Sequence, residues 1–274
     1  MKPELKSKIK GTIEKSIEKF FKNKKVKVSH VLDKIFPNER RIRSLIGGLE
    51  TSLGTTVWEP IAKILAESNG FEILDPKSFL MPIEIPNEVV KLQNDWLQRR
   101  EDRGNKDELI QFVEQLRKTI KKTKASERAK IKYKKLTAGK GVDLYFQKNG
   151  VEYLFDLKTN QINQGGGLAL NQRLIDWYIY RLLKQPDIKI KCQIAFPFNP
   201  FKTKTWWEKQ GARAYPLQQG KDALVENEFW DFLSGMKNTW SYINAIFEEL
   251  GNEGLGNKYQ KIFYKPKKNG KKIS

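Results

Sequence analysis

The stretch VDLYFQKNGVEYLFDLK, residues 142–158, sets Asp143, Asp156 and Lys158 into an otherwise largely apolar hairpin. Asn149-Gly150 suits a two-residue turn, because both central positions must take positive φ. With that turn Lys148 faces Val151, and the same register carries Asp143 opposite Asp156. Rung counting makes theirs a non-hydrogen-bonded pair, the closer kind, with Cβ atoms about 5 Å apart. Alternation places Glu152, Leu154, Asp156 and Lys158 on one face, and Val151, Tyr153, Phe155 and Leu157 on the other.

Like charges directly opposite one another destabilise a sheet. A divalent cation held by both carboxylates removes the repulsion, and hard oxygen ligands suit Mg2+. Phosphodiester hydrolysis needs charge on the phosphate neutralised and a water made nucleophilic, both of which Mg2+ supplies. Lys158, one pleat beyond Asp156, can orient or deprotonate that water, or steady the pentavalent phosphate. The plain alternative is an ordinary surface ion pair between Asp156 and Lys158.

Composition favours the first reading. The 274 residues carry 52 Lys and Arg against 32 Asp and Glu, a formal net charge of +20 that calls for an anionic partner. Nucleic acid is the commonest such partner. A membrane surface fits less well, since no run of about 18 apolar residues occurs and no leader segment is expected. His30 is the single histidine, which excludes nuclease chemistries built on several histidines. The single cysteine, Cys192, forms no internal disulfide, no zinc-type spacing occurs, and a reducing cytoplasm is expected.

Helical and extended segments surround the hairpin along the chain. Residues 1–46 are helical, with Ile9, Ile13, Ile17, Phe20 and Phe21 at roughly helical spacing. Residues 44–70 form one or two helices broken around Gly47-Gly48 and Gly54, and residues 72–90 are Pro-rich with short extended pieces. Residues 88–135 are helical and charged; the stretch 117–135 holds ten Lys or Arg and one acid, Glu127, as a solvated face or a phosphate-contacting arm. A helix from about Leu168 to Leu183, a strand over 188–196, a loop with a short helix and two closing helices follow, with a basic tail at the end. The expected organisation is one domain over 1–274: a helical segment (1–46), a catalytic core (47–235), and a C-terminal helix and tail (236–274). Its class is α/β, a mixed sheet flanked by helices.

Asp143, twelve intervening residues, then Asp156-Leu157-Lys158 resembles the PD-(D/E)xK nuclease motif, with Val142 at the nominal proline position. With GGLETSLGTTVWEPIA, YLFDLKTNQINQGG and NEFWDFLSG, about two-thirds of the chain resembles type II restriction endonucleases of the TdeIII-like group. The resemblance implies a restriction-endonuclease-like core and Mg2+-dependent cleavage of double-stranded DNA. It further implies a homodimer on a short palindromic site and a methyltransferase in the same system, with no membrane association. It makes Asp143 and Asp156 metal ligands and Lys158 the assisting base or orienter. A further helix carboxylate often joins such sites; Glu50, among small residues, is preferred over Glu59.

The loop KTNQINQGGG (158–167) offers Asn160, Gln161, Asn163 and Gln164 for adenine edges or phosphates, with glycines letting the loop enter a groove. Asn171, Gln172 and Arg173 follow on the next helix, and Lys140 precedes the hairpin. For each taken singly, a turn or a solvated surface is the simpler role. The competing functions are a repair nuclease or junction resolvase, and a DNA-binding protein without catalysis. An RNA module finds no support, because no RNP-like aromatic motif or KH-type loop occurs.

Overall fold

The structure is a computed structural model that describes residues 1–22, 30–137, 139–159, 161–163, 165–201 and 203–264. The expected basic tail falls almost wholly outside the described residues. The chain divides into two compact units, residues 1–64 with 238–274, and residues 65–237.

The first unit is helical, as the N-terminal spacing predicts. Helix α1 (Pro3–Lys22) buries Ile9, Ile13 and Phe21, and Phe21 stacks on Tyr259 with ring centroids 4.4 Å apart. Helix α2 (Pro37–Leu53) begins with proline, whose missing N–H costs nothing in a first turn. It runs through Gly47-Gly48 without the expected break. The irregularity comes later, as a single π turn over Gly54–Trp58, before α3 (Glu59–Ser68) begins. Trp58 in that turn packs on Phe247, with centroids 5.6 Å apart.

In the second unit the described strands form a five-stranded sheet in the order β1-β4-β5-β6-β7, with a separate pair β2-β3. The strands are β1 (Glu72–Leu74), β2 (Leu80–Pro82), β3 (Tyr133–Lys135), β4 (Leu144–Lys148), β5 (Val151–Leu157), β6 (Lys189–Phe196) and β7 (Ala223–Val225). β4 runs antiparallel to β1 and β5, whereas β5, β6 and β7 are parallel, so the sheet is mixed.

The hairpin register is the one the turn dictates: Lys148 pairs with Val151 and Leu144 with Phe155. Asn149 and Gly150 both take positive φ, 52° and 72°. Around the sheet lie α4 (Asn87–Glu101), α5 (Leu109–Lys122), the short α6 (Ala125–Arg128), α7 (Gly166–Lys184), α8 (Trp206–Ala214) and α9 (Asn227–Ser234). The closing α10 (Thr239–Asn252) and the short α11 (Gln260–Phe263) belong to the first unit.

Residues 88–135 are not one helical run. Asp102 accepts the Gly104 N–H at 3.0 Å, a local side-chain turn that ends α4. Leu109, Phe112, Val113, Leu116 and Ile120 then line one buried stripe of α5. Beyond α6 the pattern Ile131, Tyr133 alternates with lysines, and that period of two makes β3 a strand.

The sheet is covered on both faces. Leu154 and Tyr145 on one side join Leu170, Leu174, Trp177 and Tyr178 of α7 in the core. On the other side Phe155 meets Phe229 and Phe232, at centroid distances of 5.4 and 6.1 Å. This is the apolar opposite face that the alternation demands. Because β5 and β6 are parallel, α7 is their crossover and runs back antiparallel to β5.

Candidate active site

The hairpin ends at the acidic pair. Asp143 lies at a bend just before β4, where its N–H donates to the Phe155 carbonyl at 3.0 Å. Its carboxylate Oδ2 accepts the N–H of Leu157 at 2.7 Å. A side-chain oxygen thus satisfies a ladder donor of β5, which fixes Asp143 beside Asp156. Asp156 is buried, 2% exposed. The carboxyl of Asp143 is pushed from 3.8 up to about 7, first by burial and then by the negative charge of Asp156. The two acids are therefore close enough to repel, although the paired ladder stops one residue short of them, at Leu144 and Phe155.

Two cations answer Asp156. Lys158 donates through Nζ to Oδ1, and Arg173 of α7 donates through Nη1 to Oδ2. The Lys158 main-chain N–H bonds the Ala195 carbonyl at 2.9 Å, which extends the β5–β6 pairing by one residue and aims the side chain. Arg173 also reaches the Gly139 carbonyl at 2.8 Å, and Trp177 Nε1 bonds the Lys140 carbonyl at 3.3 Å. One helix therefore holds both β5 and the segment leading to Asp143.

The site is an oxygen-rich pair suited to a hard divalent cation. Asp143 and Asp156 would hold it, and repulsion between them is the observation that fits such a group. Among the described residues no three His, Cys, Asp or Glu side chains are grouped to hold a metal. Glu50 is exposed on α2 of the first unit, and Glu59 there is half-buried, with its carboxyl raised by burial and Lys63 at 3.8 Å.

The expected DNA contacts divide. Lys140, Gln161 and Asn163 are exposed, and Gln161 accepts a long bond from Gln210 at 3.4 Å. Asn160 and Gln164 lie outside the described residues. Asn171 is not available to DNA: it is 1% exposed, and its Oδ1 takes the Arg100 Nε–H at 2.8 Å. Gln172 bonds Asp176 at 2.7 Å. Arg173, another of the candidate DNA contacts, faces Asp156.

The glycines also have another role. A Cβ on Gly167 would lie 2.2 Å from the Tyr215 carbonyl, and one on Gly166 would lie 2.5 Å from Ile162. Close packing at the start of α7 explains these two positions better than a loop entering a groove.

Sequence reasoning missed two buried networks. Arg100 bonds Asn171, the Asp107 and Pro216 carbonyls, and Asp222 at 2.5 Å. Arg181 grips both oxygens of Glu152 at 2.7 Å, and Tyr145 donates to Glu152 at 2.6 Å. Only the shared face of Glu152 and Asp156 on β5 hinted that α7 must bring cations.

The comparison that decides the family covers residues 1–251, which match the family described as "Type II restriction endonuclease, HinfI". The chain belongs to the HinfI family of type II restriction endonucleases. This places the chain within the class the motif suggested, while nothing in the match supports the finer TdeIII-like grouping. The chain is also similar to the Type II restriction enzyme MjaII of Methanocaldococcus jannaschii, 24% identical over 223 residues. That alignment covers 78% of this chain and 56% of the relative, so the chain spans about half the length of the curated relative it matches. The mixed sheet with flanking helices is consistent with a restriction-endonuclease-like fold. Among the described residues no helix is long and apolar enough to cross a membrane.

Proposed function

We propose that this chain is a site-specific deoxyribonuclease that hydrolyses phosphodiester bonds of double-stranded DNA at a short palindromic site, with Mg2+. The observation that carries the reading is the meeting of Asp143, Asp156 and Lys158 at one end of the hairpin, within a restriction-endonuclease family. A homodimer matches the two-fold symmetry of such a target. A methyltransferase of the same specificity and a cytoplasmic setting complete the proposal.

Bound between the two aspartates, Mg2+ would neutralise phosphate charge and acidify a water. The chain's residues do the rest. Asp143 is fixed by the Leu157 N–H, so its remaining oxygen has a defined direction. Lys158, one-third exposed, holds its ammonium against Asp156 Oδ1, where it can steady phosphate charge or orient the attacking water. Water adds to phosphorus, the P–O ester bond breaks, and the leaving oxygen takes a proton. Exposed Lys140, Gln161 and Asn163, close in sequence to Asp143 and Lys158, are the proposed DNA contacts.

Digestion of phage DNA by purified protein, in Mg2+ and in EDTA, tests the reading beside Asp156→Ala. Discrete fragments that require Mg2+ and disappear in the variant are expected. Folded protein that binds DNA and cuts none would overturn it in favour of a non-catalytic DNA-binding protein.

A further inference from the structure

Strand β5 presents two acids to α7, and the helix answers each with an arginine. Glu152 and Asp156 are four residues apart, about 13 Å along a strand. Arg181 and Arg173 are eight residues apart, about 12 Å along a helix. The matching repeats let one antiparallel helix pair with both acids. The two pairs nevertheless differ in kind.

At Glu152 the pairing is complete. Arg181 engages both carboxylate oxygens, Tyr145 adds its hydroxyl, and both charged side chains are well buried, 13% and 6% exposed. At Asp156 the guanidinium takes a single oxygen, Oδ2, and its other bond goes to the Gly139 carbonyl in an exposed segment. Arg173 is more exposed, at 23%. The neighbour of Asp156 is a second acid, Asp143, where Glu152 has a neutral tyrosine. Two carboxylates, the Lys158 ammonium on Oδ1 and one replaceable guanidinium on Oδ2 describe a cation site whose charge is supplied provisionally by the protein.

We propose that Arg173 is a positioning residue that occupies Asp156 Oδ2 in place of the divalent cation, and that cation binding displaces it. The proposal rests on the reading of Asp143 and Asp156 as metal ligands. Arg173 keeps the acidic pair assembled without metal, and lowers metal affinity because its charge and its hydrogen bond must both be moved. After displacement the guanidinium remains tethered near the site through Gly139.

The test is calorimetric titration with Ca2+, a hard cation of the same ligand preference, in the absence of DNA, together with thermal denaturation in EDTA and in Ca2+. Arg173→Gln is expected to bind Ca2+ about tenfold more tightly than the unmodified protein. Its melting temperature is expected to fall in EDTA and to rise more steeply with added Ca2+. Arg173→Lys keeps the charge but loses the fork between Asp156 and Gly139, and its affinity should fall between the two. Arg181→Gln, a purely structural loss, should melt lower with unchanged Ca2+ affinity.

Equal or weaker binding by Arg173→Gln, with binding abolished in Asp156→Asn, would overturn the displacement and leave the metal site standing. Undiminished binding in Asp156→Asn, or none in any variant, would remove the metal reading itself and this proposal with it.

Discussion

The carboxylate of Asp143 accepts the N–H of Leu157 at 2.7 Å, the residue between Asp156 and Lys158. One oxygen of an acidic side chain thus serves the sheet while the other is left for chemistry. Asn at this position can keep the acceptor but not the charge. Asp143→Asn should therefore melt near the unmodified protein and bind DNA, yet lose cleavage on the order of a thousandfold as metal charge stabilisation is lost. Asp143→Ala should lose cleavage and also about 1–3 kcal/mol of stability, because the Leu157 N–H is orphaned. Melting curves and cleavage rates on one substrate check both; an active Asp143→Asn would sink the assignment.

Proton linkage should be visible in the metal-free protein. The Asp143 carboxyl releases its proton near 3.8 in the unfolded chain but only near 7 when folded, because of burial and Asp156. Between those values the folded state binds more protons, so this group's contribution to stability falls as pH rises through the window. Denaturant titrations in EDTA across that range should show a downward slope that Asp143→Asn flattens. Cleavage should move the other way, declining as pH drops below about 7, since a protonated Asp143 is a poor metal ligand. Parallel stability curves for the two proteins would contradict the linkage.

The hairpin was legible because its signals are local and agree. A positive-φ turn at Asn149-Gly150 sets the register, and period-two alternation sets the faces. α7 and β6 were legible for the same reason, with apolar periodicity bounded by turn residues. Pairing between distant segments was not. Asn171 and Arg173 are neighbours on α7 and equally polar, yet one faces buried Arg100 and the other Asp156. Only the packing of α7 against α4 and β5 separates them. Strand β7 was missed because three residues, Ala223, Leu224 and Val225, are too short to show alternation.

Asn171 belongs to the buried guanidinium network, and its loss should be felt in stability alone. Asn171→Ala removes the acceptor of Arg100 Nε inside the second unit, at an expected cost of about 1–3 kcal/mol. Asp222→Asn removes the charge opposite Arg100 and should cost more, about 3–5 kcal/mol. Fragment patterns from DNA digestion should be unchanged in Asn171→Ala at permissive temperature. An altered site preference with normal melting would return this residue to the DNA surface.

Two glycines make opposite predictions from the same substitution. A Cβ at Gly167 would lie 2.2 and 2.4 Å from the backbone carbonyl oxygens of Tyr215 and Ala214, neither of which can rotate away. Gly167→Ala must push the start of α7 off α8, and the upper end of about 1–3 kcal/mol is expected. For a chain of this size that is a fall of roughly 5–10 °C in Tm. Because α7 carries Arg173 and packs over β5, cleavage should weaken even at temperatures where the variant is folded. Gly47 lies inside α2, where an added Cβ would have nothing within 4 Å, so alanine there meets no obstacle. Gly47→Ala should stabilise by about 0.5–1 kcal/mol, because the unfolded chain loses freedom and the helix loses none. Calorimetric Tm values for the pair decide the matter: a stable Gly167→Ala would show that α7 and α8 are less tightly apposed than this packing requires.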